Sequence, residues 1–259
     1  MSHQASFSSA SSAPVLSGCW SGRTVGITGA SGALGRALTK ALIAEGAWVI
    51  ALSHSPRPAQ AQTSNDEAQE WVRWSCGEEF QLEPIFQRVD VLVLNHGINP
   101  GGDQSPETLS KTLEVNAFSH WRLMQQFETI AGQDQNRKQP RELWVNTSEA
   151  EIQPALSPGY ELSKRLIGEL VSLRWNNCTA TQRQVLRLRK LILGPFRSNL
   201  NPIGLLTSGF VARQVVWQAN LGVNLIIVTP NPLTYLLMPF VELIRRVYCR
   251  ALRINPPDR

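Results

Sequence analysis

The stretch TVGITGASGALGRALTKALIAEG, residues 24–46, decides the fold. Its first five residues are β-branched or apolar around a single glycine. From Arg36 onward, apolar residues recur at three- and four-residue intervals, so a short strand passes through a glycine turn into an amphipathic helix. Gly29, Gly32 and Gly35 sit in that turn. Glycine there lets the backbone turn tightly and lets an anionic group approach the helix amides, whose dipole favours negative charge. A glycine-rich turn without a ligand is the plain alternative. The position of the turn, after a first strand and at the head of the first long helix, favours the dinucleotide reading.

Outward from this unit the alternation continues. WVIALS (48–53), VRWS (72–75), VDVLVLN (89–95), ELWVNTS (142–148), VLRLRKLIL (185–193) and NLIIVTP (224–230) read as further strands. Residues 110–130, 160–177 and 210–221 read as the helices between them. The expected fold class is α/β: a Rossmann-type, doubly wound, mostly parallel seven-stranded sheet with helices on both faces. Residues 1–22 are Ser-rich and read as a flexible tail, and residues 23–259 as one NAD(P)-binding domain ending in a hydrophobic, basic segment at about 233–254. A chain of 259 residues with 42% hydrophobic content fills such a core.

Composition narrows the function classes. Cys19, Cys76, Cys178 and Cys249 form no CxxC pair, and His3, His54, His96 and His120 show no ligand spacing. We therefore expect no metal, no disulfide framework and a reducing, cytoplasmic setting. The net charge of +5 fits an anionic cofactor, a nucleic acid or an anionic membrane. No nucleic-acid motif accompanies the RLRK run at 187–190 or Arg245, Arg246, Arg250 and Arg253, so solvated faces are the expectation and no nucleic-acid partner is. No run reaches the ~20 apolar residues of a membrane span. The end of the chain, LTYLLMPFVELIRRVYCRALRI, supports two readings, a basic amphipathic helix lying in a membrane interface or a face packed on another subunit.

At the end of WVIALS, where an acid would hold the ribose hydroxyls of NAD, stand Ser53, His54 and Ser55, with Arg57 nearby. NADP is expected over NAD, although Arg57 reads equally as an ordinary loop residue. YELSK puts Tyr160 and Lys164 one helical turn apart, so a fixed cation stands beside a phenol and favours its phenolate. Ser148 lies twelve residues upstream at the end of a strand, and Asn95, His96 and Gly97 lie at the end of another.

With these motifs the sequence resembles the short-chain dehydrogenase/reductase family: the loop TGASGALG, an NHG standing for NNAG, Asn116 in EVNAF, and Ser148, Tyr160 and Lys164. The resemblance covers about residues 22–230. It implies that Tyr160 exchanges a proton with the substrate oxygen, that Ser148 hydrogen-bonds that oxygen, that Lys164 holds the nicotinamide ribose, and that Asn116 completes a water relay. It further implies cofactor contacts from Gly29, Ser31, Gly32, Leu34, Gly35, Ser53, His54, Asn95, Gly97, Tyr160, Lys164, Pro195 and Ser198. Homo-oligomers are common in the family and are expected here.

Departures from the pattern leave other readings open. The glycine spacing is closer to that of epimerases and dehydratases, and Thr147 competes with Ser148 because the spacing to the tyrosine is one residue short. No aspartate follows the third strand, where Ser75 and Cys76 stand instead. Residues 145–174, 189–204 and 226–239 further resemble the reductase half of proteins named bifunctional sterol desaturase/short-chain dehydrogenase. The expected substrate is a small, apolar or lipid-like carbonyl or secondary alcohol, and the alternative is a dinucleotide-binding scaffold without turnover.

Overall fold

The computed structural model describes residues 20–57, 67–134 and 137–251. Strands β1 (Thr24–Thr28), β2 (Trp48–Ser53), β3 (Glu70–Arg73), β4 (Val91–Leu94), β5 (Arg141–Asn146) and β6 (Leu186–Leu193) are followed by the two-residue strands β7 (Phe196–Arg197) and β8 (Leu206–Thr207), and then by β9 (Leu225–Val228). Seven of them form one sheet in the order β3-β2-β1-β4-β5-β6-β9. Every pairing in it is parallel. Strand order reverses between β1 and β4, and the crevice at the carboxyl ends there is where such sheets bind ligands.

Helices α1 (Ala33–Ala44) and α7 (Ser208–Asn220) cover one face, packing Leu38, Leu42, Val211 and Val215 on Val25, Ile27, Val93 and Leu191. On the other face, α2 (Glu83–Arg88), α4 (Ser119–Gln133) and α5 (Pro158–Asn177) pack Phe86, Phe127, Ile167 and Val171 on Leu92, Leu94 and Val145. Alternate residues of each strand thus feed two cores, and strands buried on both faces read as continuous apolar runs. The remaining helices are α3 (Pro106–Leu113), α6 (Ala180–Val185) and α8 (Pro232–Ala251).

The structure departs from expectation in five places. The helix predicted over 110–130 is interrupted by a wide π turn at Glu114–Phe118 between α3 and α4. The third strand lies two residues earlier than VRWS, which leaves Trp74 buried beyond its end. Val185 belongs to α6 rather than to the sixth strand. Trp20, predicted to lie in the tail, does not: its indole is buried, meets Trp144 edge-on at 5.6 Å and donates to Asn220 Oδ1 at 2.6 Å. The rest of that tail lies outside the described residues.

The fifth correction concerns RLRK. Arg189 and Lys190, expected on a solvated face, are 2% and 0% exposed. Arg189 Nε donates to Glu142 at 2.7 Å. On the opposite sheet face Lys190 Nζ donates to Glu151 Oε2 at 2.6 Å, to Ser172 Oγ at 2.8 Å and to Glu242 Oε1 at 2.9 Å. A strand inside a sheet buries both faces, so charges on it must be neutralised where they stand. Replacing Lys190 by Met leaves the buried Glu151 without its cation and Glu242 with Arg245 alone. Urea denaturation at neutral pH should show a loss of about 3–5 kcal/mol, and a loss below about 1 kcal/mol would mean the carboxylates find other relief.

Candidate active site

The glycine turn is held by close packing. Gly29 has φ +63°, and a Cβ on it would lie 2.7 Å from His96 Cα. A Cβ on Gly35 would lie 2.3 Å from Gly29 O. Gly32 caps α1 without a side chain, and no acidic residue stands in the first turn. The amides of that turn therefore lack a side-chain acceptor and favour an anion. Leu34, expected to contact cofactor, has its side chain in the core, which leaves its backbone to face the turn. Ser53 is also buried. Its hydroxyl donates to Ser31 Oγ at 2.9 Å and accepts Ser55 N at 3.1 Å. His54 and Arg57 are exposed at the end of β2. Arg36 is exposed one residue after the glycine turn and donates to Ser31 O.

Thr28 joins this loop to the end of β4. Its hydroxyl accepts Asn95 N at 2.9 Å and meets His96 Nδ1 at 2.9 Å. Asn95 Oδ1 in turn accepts Asn146 Nδ2 at 3.0 Å. His96 stacks on His120, with ring centroids 4.0 Å apart, and Trp74 meets His96 edge-on at 5.2 Å. Burial lowers both imidazoles and the nearby Lys164 charge adds to the effect, so His96 titrates at about 3 and His120 well below its ordinary value. The pair is neutral at physiological pH.

The π turn aims Asn116 at the loop after β4. Its amide accepts Ile98 N at 2.8 Å and donates to Ile98 O and Ser163 Oγ at 2.9 Å each. A continuous α-helix would carry this side chain elsewhere, and π turns recur at functional sites. Gly97 lies beneath it, with room for a Cβ only 3.1 Å from Asn116 Oδ1.

Strand β5 delivers Thr147 and Ser148, and α5 brings Tyr160 and Lys164. Thr147 turns away, donating from its hydroxyl to Leu191 O at 3.0 Å. Ser148 accepts Ala150 N at 3.2 Å and stands near enough to the Tyr160 phenol to lower its pKa, so of the two hydroxyls it is Ser148 that faces the phenol. Lys164 Nζ donates to Asn146 O at 3.0 Å and lies 5.7 Å from the centroid of the Tyr160 ring. Burial pushes Tyr160 above its ordinary value, Ser148 opposes the rise, and the Glu149 charge adds to it. The expected bias toward phenolate is therefore not what this arrangement produces, because desolvation of the phenol outweighs its neighbours. Burial also brings Lys164 down to about 8, against a smaller opposing effect from Glu151.

Beyond β6, Pro195 O accepts Leu205 N at 3.0 Å, and Ser198 Oγ accepts Asn201 N at 3.2 Å. Both residues thus shape the loop between β7 and β8, and Asn99 Nδ2 ties that loop to the one after β4 through Leu200 O at 3.2 Å. Sequence reasoning missed Thr28, Asn146, Ser163, His120 and Arg36. Only Arg36, a cation directly after the last loop glycine, left a readable signal. Among the described residues, no group of three or more His, Cys, Asp or Glu side chains is placed to hold a metal.

Known proteins share this fold. Residues 23–137, which hold the glycine turn, the NHG segment and Asn116, match the family model described as short chain dehydrogenase. The short-chain dehydrogenase from Sphingobium yanoikuyae in complex with NADPH superposes with TM-score 0.72 at 13% identity, covering 91% of this chain and 98% of that one. A short-chain dehydrogenase from Burkholderia cenocepacia in complex with NADP gives 0.67 at 17% identity, covering 90% and 98%. With the fold, these findings show a chain whose residues 23–137 are similar to the short-chain dehydrogenases and whose Rossmann-type sheet superposes on theirs. More specifically, it is 39% identical over 232 residues to the monoglucosyldiacylglycerol epimerase of Synechocystis, a match covering 89% of this chain and 55% of that protein. The chain thus spans about half the length of that relative. The relative's name is an epimerase, not the sterol desaturase/dehydrogenase of the finer resemblance above.

Lys164 gives this site a titration of its own. Its folded pKa of about 8 lies below the ordinary 10.5, so the buried ammonium costs stability below about pH 8, and the cost is relieved as pH rises toward 10.5. A ¹³Cε resonance from one lysine should move near pH 8 and vanish in Lys164→Met. Titration of every lysine near 10.5 would contradict the burial.

Proposed function

We propose that the chain is an NADP-dependent oxidoreductase acting on a carbonyl or secondary alcohol of an apolar, lipid-like substrate. The observation that carries this reading is the convergence of Ser148 and Lys164 on Tyr160, with Lys164 Nζ held on Asn146 O at 3.0 Å and 5.7 Å from the centroid of the phenol ring. A pure binding scaffold has no use for that set. The glycine turn fits a dinucleotide: side chains are excluded at Gly29 and Gly35 by backbone, and α1 opens on uncapped amides. Gly29, Ser31, Gly32, Gly35, Asn95 and Gly97 would hold it, with Lys164 on the ribose and Ser198 near the carboxamide. When bound, the nicotinamide supplies or accepts the hydride.

The chain's own residues handle the proton. Tyr160, kept protonated by its raised pKa, gives its proton to the carbonyl oxygen in the reductive direction and takes it back in the oxidative one. Ser148 donates a hydrogen bond to the same oxygen. Asn116 fixes Ile98 and Ser163 beside α5 and so orients the segment on which a water relay to Lys164 would depend. NADP is preferred to NAD because no carboxylate ends β2, while His54, Arg57 and Arg36 stand at that corner. The lipid-like substrate draws on the exposed Leu156, Ile203 and Leu205 on loops at the carboxyl edge of the sheet. It draws also on the diacylglycerol substrate in the relative's name. We take the enzyme to be a homo-oligomer in a cytoplasmic setting.

The 39% identity to an epimerase favours one further reading, in which oxidation and re-reduction at a single carbinol carbon invert its configuration with no net redox change. Nicotinamide fluorescence with NADPH and NADH tests the cofactor. His54→Asp, an exposed site suited to a new carboxylate, should weaken NADPH about tenfold, or about 1.4 kcal/mol, and spare NADH. Binding of neither nucleotide by the wild type would remove the enzyme reading. Tyr160→Phe should keep NADPH affinity while turnover falls about 10²-fold or more. Product with no net consumption of NADPH would select the epimerase.

A further inference from the structure

Helix α8 separates into two stripes. At about 100° per residue, Thr234, Met238 and Glu242 fall on one side, and all three are buried. Thr234 accepts Gln153 Nε2 at 2.8 Å and Met238 packs on Ile192 and Ile227. Glu242 receives Lys190 at 2.9 Å and Ser172 at 2.6 Å. This side is fixed to the domain, so the other must face outward.

The outward side is apolar. Leu236, Phe240, Leu243 and Val247, at spacings of four, three and four, are 69%, 57%, 54% and 59% exposed, with Leu233 and Ile244 alongside. Soluble surfaces rarely carry so continuous an apolar stripe without a partner. The charge on the helix is one-sided as well. Its single acid, Glu242, is buried, while Arg246 is exposed and stacks on Trp175 at 5.8 Å. Helical periodicity puts Arg246 and the position of Arg250 on one border of the stripe. Among the described residues no helix is long and apolar enough to cross a membrane.

We propose that this stripe of α8 docks on an anionic lipid bilayer, the apolar residues entering the acyl boundary and the basic border that includes Arg246 meeting the head groups. An interfacial helix of this kind needs an apolar face flanked by cations that can reach the phosphates. A second copy of the chain fits less well. A two-fold contact would face the same stripe with itself and bring like-charged borders together without an exposed acid on either helix to pair them. The first turn of α8 follows directly from β9 at the carboxyl edge of the sheet. There Gln153, five residues after Ser148, is bonded to both Asn231 and Thr234. Docking through α8 therefore sets the candidate active site beside the lipid phase. The inference goes beyond the proposed chemistry and does not require it.

Vesicle flotation of the full chain tests it, using phosphatidylcholine with and without phosphatidylglycerol. The wild type should float with the anionic vesicles, lose binding as salt is raised, and stay behind with neutral ones. Leu236→Glu combined with Phe240→Glu should lower the bound fraction about tenfold or more. Leu243→Gln with Val247→Gln should act in the same direction if the first pair fails to fold by its melting curve. A wild type that ignores anionic vesicles, or a folded variant that binds them as the wild type does, overturns the proposal. So does a variant that turns an oligomer into a monomer by light scattering while the wild type binds no vesicles, since a second copy then covers the stripe. NADPH titration of the same samples keeps the two proposals apart. Dinucleotide binding without vesicle binding removes only this one, and vesicle binding without dinucleotide binding supports it while removing the enzyme reading.

Discussion

The ammonium of Lys190, shared between Glu151 and Glu242, is the interaction on which the rest of the structure leans. It sits in the middle of β6, yet its partners come from the segment after Ser148, from α5 through Ser172, and from α8. One buried cation thus pins the loop that carries the site, the helix that carries Tyr160, and α8. The cluster dictates its surroundings, since a Cβ on Gly168 would fall 2.1 Å from the Glu151 carboxylate. Buried ion pairs rarely add net stability over apolar packing, but breaking one is costly. The arrangement therefore enforces a unique geometry more than it strengthens the fold.

A second layer of fixing sits where β1 meets β4. Thr28 gathers the amides of Asn95 and His96, and Asn95 reaches on to Asn146, whose carbonyl holds Lys164. Glycine turn and lysine are thereby linked through a short chain of hydrogen bonds that leaves little freedom between the expected dinucleotide and acid/base halves. The neutral His96–His120 stack fills the space behind them. Two imidazoles in contact can both stay buried only if neither carries a charge, and desolvation ensures that.

The strands were legible because a sheet buried on both faces must be written as apolar runs, as VLVL of β4 is. The Tyr160 and Lys164 pair was legible because one helix carries both. What escaped reading depends on partners far along the chain. Nothing in LRLRKLIL tells that Arg189 and Lys190 will meet Glu142, Glu151 and Glu242, since basic residues usually mark solvent. The amphipathic pattern of residues 110–130 hides the π turn, whose cause is the grip of Asn116 on Ile98 and Ser163. Trp20 looked like tail because its pocket is built from Trp144 and Asn220. The raised pKa of Tyr160 is likewise a property of enclosure, which no spacing encodes.

The parallel sheet also sets an order of assembly. As the chain leaves the ribosome, β1, α1 and β2 can pair early, but the seat of Gly29 is His96, and β4 must be added at the centre before that seat exists. Tyr160 and Lys164 follow later still, and the last of the carboxylates to reach Lys190 comes from α8, after every strand of the sheet. Non-local pairing of this kind is slow relative to helix formation. A nascent chain would therefore present a nucleotide-shaped turn long before it owned a working site, and α8 acts as the latch that completes it.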